Sequence, residues 1–183
     1  MAVFPAIIDA CVLFNAPVRD TLLRLAEHGL YRIHWSQIIL DETTKNLVSK
    51  GRMIETKAEY LVSEMSKAFP EAMIEVSEDL IDAMKNDPKD RHVAAAAVAS
   101  SAQVIVTFNT VDFKSEHLSH LNVEAQNPDT FLLYMFRLQP QLVLTVLIEQ
   151  AEDLTDVTLD QLLTTLAKYA PKFAEAVQER LKD

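Results

Sequence analysis

Four acids in this sequence stand where a carboxylate can do chemistry: Asp9, Glu42, Asp90 and Asp112. Asp9 is bounded by Ile7, Ile8, Val12 and Leu13, and an acid so enclosed is costly to bury without a partner. Asp112 follows Val104-Ile105-Val106, a short β-branched run of the kind that forms a strand covered on both faces. Asp90 falls in the first turn of a helix, and Glu42 lies within the helix that follows a second strand. Ligands of an open parallel sheet bind beyond the carboxyl ends of its strands, near the reversal of strand order. Four carboxylates gathered there repel one another unless cations neutralise them, and hard oxygen ligands suit Mg2+ or Mn2+. Such a site can activate water and hold a phosphodiester for in-line attack.

Each acid also has a plainer reading. Asp87 suits a helix N-cap, Pro88 the first helical position, and Asp90 then complements the helix dipole. Glu42 and its neighbour Asp41 read as solvated helical acids, and Asp112 as the start of a turn. Only their common placement on one inferred edge favours a cation site. Thr107 and Asn109 either orient ligands and water or satisfy backbone groups at a strand end. Arg91 suits contact with phosphate or an ion pair with a nearby acid. His117 and His120 lack the spacing of a helical zinc pair and read as surface histidines in a loop. Cys11 reads as a small buried residue.

The elements that must hold these groups alternate. Val3 to Ile8 reads as a first strand, with Pro5 tolerable only near its start. A helix over Pro17 to His28 ends at Gly29, Tyr31 to Trp35 forms a second strand, and Ser36 caps a helix ended by Gly51. A helix over Met53 to Phe69, a strand over Ala72 to Val76 and a short helix from Glu78 to Met84 follow. After Val104 to Val106 comes an edge strand over Asn122 to Ala125, and Pro128 opens a helix through Phe136. Strands alternating with helices predict an α/β fold with a doubly wound parallel sheet flanked by helices. From Pro140 the pattern is wholly helical: Leu142 to Leu154, Leu159 to Tyr169, and, beyond Pro171, Lys172 to Leu181. The expected division is a domain over residues 1–138 and a helical C-terminal extension, 139–183, packed on it.

Composition narrows the function. With 183 residues and 49% hydrophobic content the chain can bury a core without staples. Its formal charge of −10 argues against a general basic surface for nucleic acid, though bound cations reverse the local sign. The single Cys11 excludes a disulfide framework and a cysteine-rich zinc module, and a reduced, cytoplasmic setting is expected. No apolar run is long enough to span a bilayer. The N-terminus lacks a basic region, and Asp9 interrupts it early, unlike a signal peptide. With only Gly29 and Gly51, neither a Gly-rich phosphate loop nor a Gly-x-Ser-x-Gly elbow exists, and no organic cofactor site is expected.

Ile7-Ile8-Asp9-Ala10-Cys11-Val12-Leu13, Leu40-Asp41-Glu42, Asp87-Pro88-Lys89-Asp90-Arg91-His92 with its alanine run, and Thr107-Phe108-Asn109-Thr110-Val111-Asp112-Phe113 together resemble the PIN domain. The pattern is most similar to VapC-like toxins of bacterial toxin–antitoxin pairs. It covers roughly the first three quarters of the chain, as one α/β domain does. The resemblance implies a ribonuclease that uses Mg2+ or Mn2+ held by Asp9, Glu42, Asp90 and Asp112, with RNA as substrate and an antitoxin protein as partner. The family often has Asn where this chain has Cys11. Some members have Asp where it has Asn109, which implies one firmly held cation rather than two.

Two other functions compete. The same fold can serve as a scaffold that binds protein or nucleic acid without catalysis. An aspartyl-nucleophile, phosphatase-like hydrolase also places Asp after its first strand, but it needs a second acid at the place of Cys11. Leu162, Leu163 and Leu166 suit packing of the tail on the core, a homodimer or a separate partner, and composition does not choose among them.

Overall fold

The structure, a computed structural model, describes residues 3–182. In chain order its elements are β1 (Pro5–Ile8), α1 (Ala10–Leu13), α2 (Ala16–Glu27), β2 (Arg32–Ser36), α3 (Gln37–Ser49), α4 (Glu55–Ala68), β3 (Met73–Ile74) and α5 (Glu78–Ala83). They continue with α6 (Arg91–Ala99), β4 (Val104–Val106), α7 (Ser115–Leu118), β5 (Glu124–Gln126), α8 (Pro128–Leu138), α9 (Pro140–Glu152), α10 (Leu159–Leu166) and α11 (Pro171–Arg180). Two compact units result. Residues 3–14 and 31–126 form one, and residues 15–30 and 127–182 the other.

The first unit is the α/β part. Its strands form one parallel sheet in the order β3-β2-β1-β4-β5. The chain steps outward from β1 through β2 to β3, then returns to the far side of β1 with β4 and β5. Strand order therefore reverses between β1 and β4, where a doubly wound sheet opens its crevice. Ala6, Ile7 and Ile8 are fully buried, as are Ile105 and Val106, because parallel strands are covered on both faces. Pro5 begins β1, where its missing N–H costs no ladder bond, and Val3 stays outside the strand. β3 is two residues long rather than the five expected: the ladder to β2 covers only Met73 and Ile74.

Helix α6 packs against β1, β2 and β4. Val93 through Ala97 are all buried, and alanine side chains let the helix backbone come close to the strands. Ser36 ends β2 and caps α3, its Oγ accepting from the Ile39 amide at 3.3 Å. Gly51, at φ +64°, ends α3 in the left-handed conformation that glycine adopts without strain.

The second unit is all helical. Helix α2, read from sequence as part of the first domain, groups with the C-terminal helices. Thr21 Oγ1 donates to Gln150 Oε1 of α9 at 2.8 Å, and Gln150 Nε2 donates to the Pro17 carbonyl at 3.1 Å. Arg24 meets Asp153 at 2.8 Å. Leu162, Leu163, Leu166, Phe173 and Val177 are buried, and the Phe136 and Phe173 rings meet edge to face at 6.3 Å. Thr158 and Gln161 close a capping box on α10. Among the described residues no single helix is long and apolar enough to cross a membrane; α8 and α9 meet at a 119° bend.

One buried polar contact holds α8 to α11. Asp129 Oδ1 accepts from the Phe173 amide at 2.8 Å. Asp129→Ala leaves that buried N–H without a partner and is expected to lower unfolding free energy by about 1–3 kcal/mol in urea titrations, whereas Asp129→Asn, which keeps an acceptor, loses less.

Candidate active site

Asp9 is held at the carboxyl end of β1 by the sheet itself. Its amide donates to the Val106 carbonyl at 3.0 Å, extending the β1–β4 ladder by one residue. The Thr107 amide likewise continues β4 toward β5, donating to the Gln126 carbonyl at 2.9 Å. These two residues thus lie side by side at the reversal of strand order. The Thr107 hydroxyl donates to Asp9 Oδ2 at 2.6 Å, a charge-assisted bond, and accepts from the Asn109 amide at 3.0 Å. Asp9 is only 6% exposed and Thr107 is fully buried.

Cys11 does more than fill space. Its Sγ donates to Asp9 Oδ2 at 3.1 Å and accepts from the Phe108 amide at 3.3 Å, tying the start of α1 to the segment after β4. Burial, then the charge of Asp9, pushes the Cys11 thiol up to about 12, so it is a neutral donor.

The other acids arrive on irregular segments. Asp87 and Pro88 open a 3-10 turn over Pro88–Asp90 that runs into α6, and Asp87 Oδ1 accepts from the Lys89 amide at 3.1 Å. Asp87 is therefore the cap, and the Asp90 side chain makes no capping bond. Asp112 ends a second 3-10 turn, Thr110–Asp112, rather than directly ending the strand, and accepts a hydrogen bond from Asn109 Nδ2. Lys89 Nζ lies 2.7 Å from Asp112 Oδ2 and 4.0 Å from Asp90 Oδ2. Glu42, on α3, is 3.2 Å from His92 Nε2, an ion-pair distance without hydrogen-bond alignment.

Charge ties these groups together. Burial, reinforced by the charges of Asp9 and Asp112 and opposed by Lys89, raises the Asp90 carboxyl from 3.8 to about 6. Lys89 first, then Asn109, hold Asp112 below the usual carboxylate range. Burial lowers His92, but Glu42, Asp9 and Asp90 outweigh it and hold the imidazole above its ordinary value. His92 thus senses three of the four acids, a role its place two residues after Asp90 did not reveal.

The remaining candidates fall elsewhere. Arg91 Nε donates to the Asn86 carbonyl at 3.3 Å, where an ion pair with an acid was one expectation. His117 and His120 sit in short helical turns after Asp112 rather than in a loop, because Ser115–Leu118 and Ser119–Leu121 each close a turn. Lys89, the cation nearest the acids, was not singled out by sequence; its only signal is adjacency to Asp90.

The donors fit a hard divalent cation. They are carboxylates, burial and then the charges of Asp9 and Asp112 raise Asp90, and Asp90 Oδ2 is buried without a hydrogen-bond partner. As the side chains stand, no group of three or more His, Cys, Asp or Glu among the described residues is set to enclose an ion. The Lys89 ammonium lies between two of the acids instead.

A profile of the PIN domain matches residues 5–111, more than half of the chain, and the chain belongs to that family. Asp9, Glu42 and Asp90 lie inside the match, and Asp112 is the first residue after it. The helices from Pro128 onward match the VapC50 C-terminal domain over residues 128–179. Among curated proteins, "Putative ribonuclease VapC50" of Mycobacterium tuberculosis (strain ATCC 25618 / H37Rv) is 40% identical over 98 residues. That stretch is 52% of this chain and 58% of the relative, so the chain spans little more than half of that protein's length. No solved structure matches the chain.

Two outcomes follow from the geometry. Thr107→Val keeps the shape but removes the hydroxyl shared by Asp9 and the Asn109 amide; urea unfolding should show a loss of about 1–3 kcal/mol, less for Thr107→Ser. Asp90 protonates at a higher pH in the folded chain than the unfolded, so its protonation favours folding between 3.8 and about 6. Without added metal, the unfolding temperature should gain a contribution from Asp90 as pH falls from about 7 to about 4, and Asp90→Asn should remove that part of the slope.

Proposed function

We propose that this chain is a divalent-metal-dependent endoribonuclease, the toxin of a bacterial toxin–antitoxin pair acting in the cytoplasm. The observation that carries this reading is the Asp9–Thr107 bond: it fixes a buried carboxylate at the strand-order reversal of a PIN fold, with charge-coupled Asp90 beside it. The name of the VapC50 relative supports ribonuclease as the activity. Residues 1–138 would form the nuclease domain, with 139–183 as its helical extension.

Asp9, Glu42, Asp90 and Asp112 would hold Mg2+ or Mn2+. When bound, the cation supplies Lewis acidity toward the scissile phosphate and lowers the pKa of water. The protein's own groups then have separable tasks. Thr107 and Cys11 aim Asp9, and His92 holds Glu42 near the cleft. Asn109 fixes Asp112 as a neutral amide, which favours one firmly held cation over two. Arg91, its Nε on the Asn86 carbonyl, would have its terminal nitrogens left for phosphate. An antitoxin covering these acids would suit them with an arginine.

One observation favours a second reading, a scaffold that binds protein or nucleic acid without catalysis: no three ligand side chains stand ready to enclose an ion. Mn2+ separates the two. An enzyme site gains about 2.7 kcal/mol of stability at a free Mn2+ concentration of about 100 times Kd, and a scaffold gains none.

The deciding experiment incubates a mixed RNA pool with Mn2+ and compares the wild type with Asp9→Asn. Asparagine keeps an oxygen for the Thr107 hydroxyl, so the fold should persist. Cleavage is expected from the wild type alone, and full Mn2+-dependent cleavage by Asp9→Asn would sink the assignment.

A further inference from the structure

We propose that Lys89 is a built-in counter-ion of the acid cluster, holding Asp112 and facing Asp90 until a divalent cation takes its place and frees it to meet substrate phosphate. This rests on the metal-dependent nuclease reading above and adds a residue to it.

The geometry begins with position. Lys89 Nζ is 2.7 Å from Asp112 Oδ2 and 4.0 Å from Asp90 Oδ2, so one ammonium spans two of the proposed ligands. The contact is incomplete on one side, since Asp90 Oδ2 is buried and has no hydrogen-bond partner. A divalent ion of higher charge density would satisfy both carboxylates where the ammonium satisfies one.

Displacement should be easy. The Lys89 side chain is 63% exposed, and an exposed ion pair of this kind is weak and screened by salt. Its backbone is held by the Asp87 cap and by Pro88, so only the flexible stem must move. Once off Asp112, the ammonium remains tethered one residue from Asp90, beside the acids. In a chain of net charge −10, an approaching phosphodiester meets a repulsive field, and a cation delivered there upon metal entry counters it.

The test is calorimetric titration of Mn2+ into the full chain, comparing the wild type, Lys89→Met and Lys114→Met. Lys114 is an exposed lysine two residues after Asp112, so its loss reports the general effect of removing one positive charge. Lys89→Met should tighten Mn2+ binding roughly threefold, beyond any change in Lys114→Met, and raise KM for RNA at saturating Mn2+ while kcat is largely kept. Equal effects of the two variants, weaker Mn2+ binding, or an unmoved KM would overturn the proposal. Mn2+ binding indifferent to Lys89 removes this inference alone. Absence of Mn2+ binding in wild type and variants removes the nuclease reading with it, whereas binding by Lys89→Met alone supports the counter-ion role in its strongest form.

Discussion

A carboxylate buried at the end of a central strand is the constraint on which the rest of the site depends. Asp9 is almost out of water, and burying an unpaired charge is costly. It is tolerated because β4 lies in register beside β1 and presents the Thr107 hydroxyl at 2.6 Å. The same hydroxyl accepts from Asn109, and Asn109 in turn holds Asp112. One strand pairing thereby orders a chain of contacts from the sheet out to Asp112. The register matters because a slip of one residue would turn Thr107 to the opposite face.

Around that anchor the protein manages like charge with neighbours of opposite sign. Lys89 stabilises the ionised form of Asp112, and His92 lies beside Glu42, while burial, against the pull of Lys89, raises the Asp90 carboxyl to about 6. Each partner comes from α6 or the turn before it. The alanine run that lets α6 lie close on β1, β2 and β4 is therefore also what brings Lys89, Asp90 and His92 to the carboxyl edge. Packing and electrostatics are the same design problem here: small side chains on the buried face, charged ones at the turn that leads into it.

Much of this was legible in the chain. The alternation of buried strands and helices, the caps at Ser36 and Asp87, and the stops at Gly29 and Gly51 are local matters of hydrophobic period and backbone freedom. Positions that depend on distant partners leave no such local mark. β3 is short because only two residues of it meet β2, and no local signal reports that. Helix α2 joins the C-terminal helices through Thr21, Arg24 and Gln150, residues 129 and more positions apart in some pairs. Cys11 looked like a small core residue because a thiol's hydrogen bonds to Asp9 and Phe108 are set by the β1–β4 pairing, not by its neighbours in sequence.

By itself, then, the sequence determined the α/β class and the strand-end placement of Asp9, because periodicity and residue chemistry are properties of short segments. The PIN resemblance, borne out by the match over residues 5–111, followed from the spacing of those same segments. Only the tertiary structure decided which strands flank the reversal, that Thr107 and Cys11 both hold Asp9, and that Lys89 stands between Asp90 and Asp112. Those facts depend on groups brought together across the fold, where a hydrogen bond or an ion pair is set by ångströms that no spacing along the chain encodes.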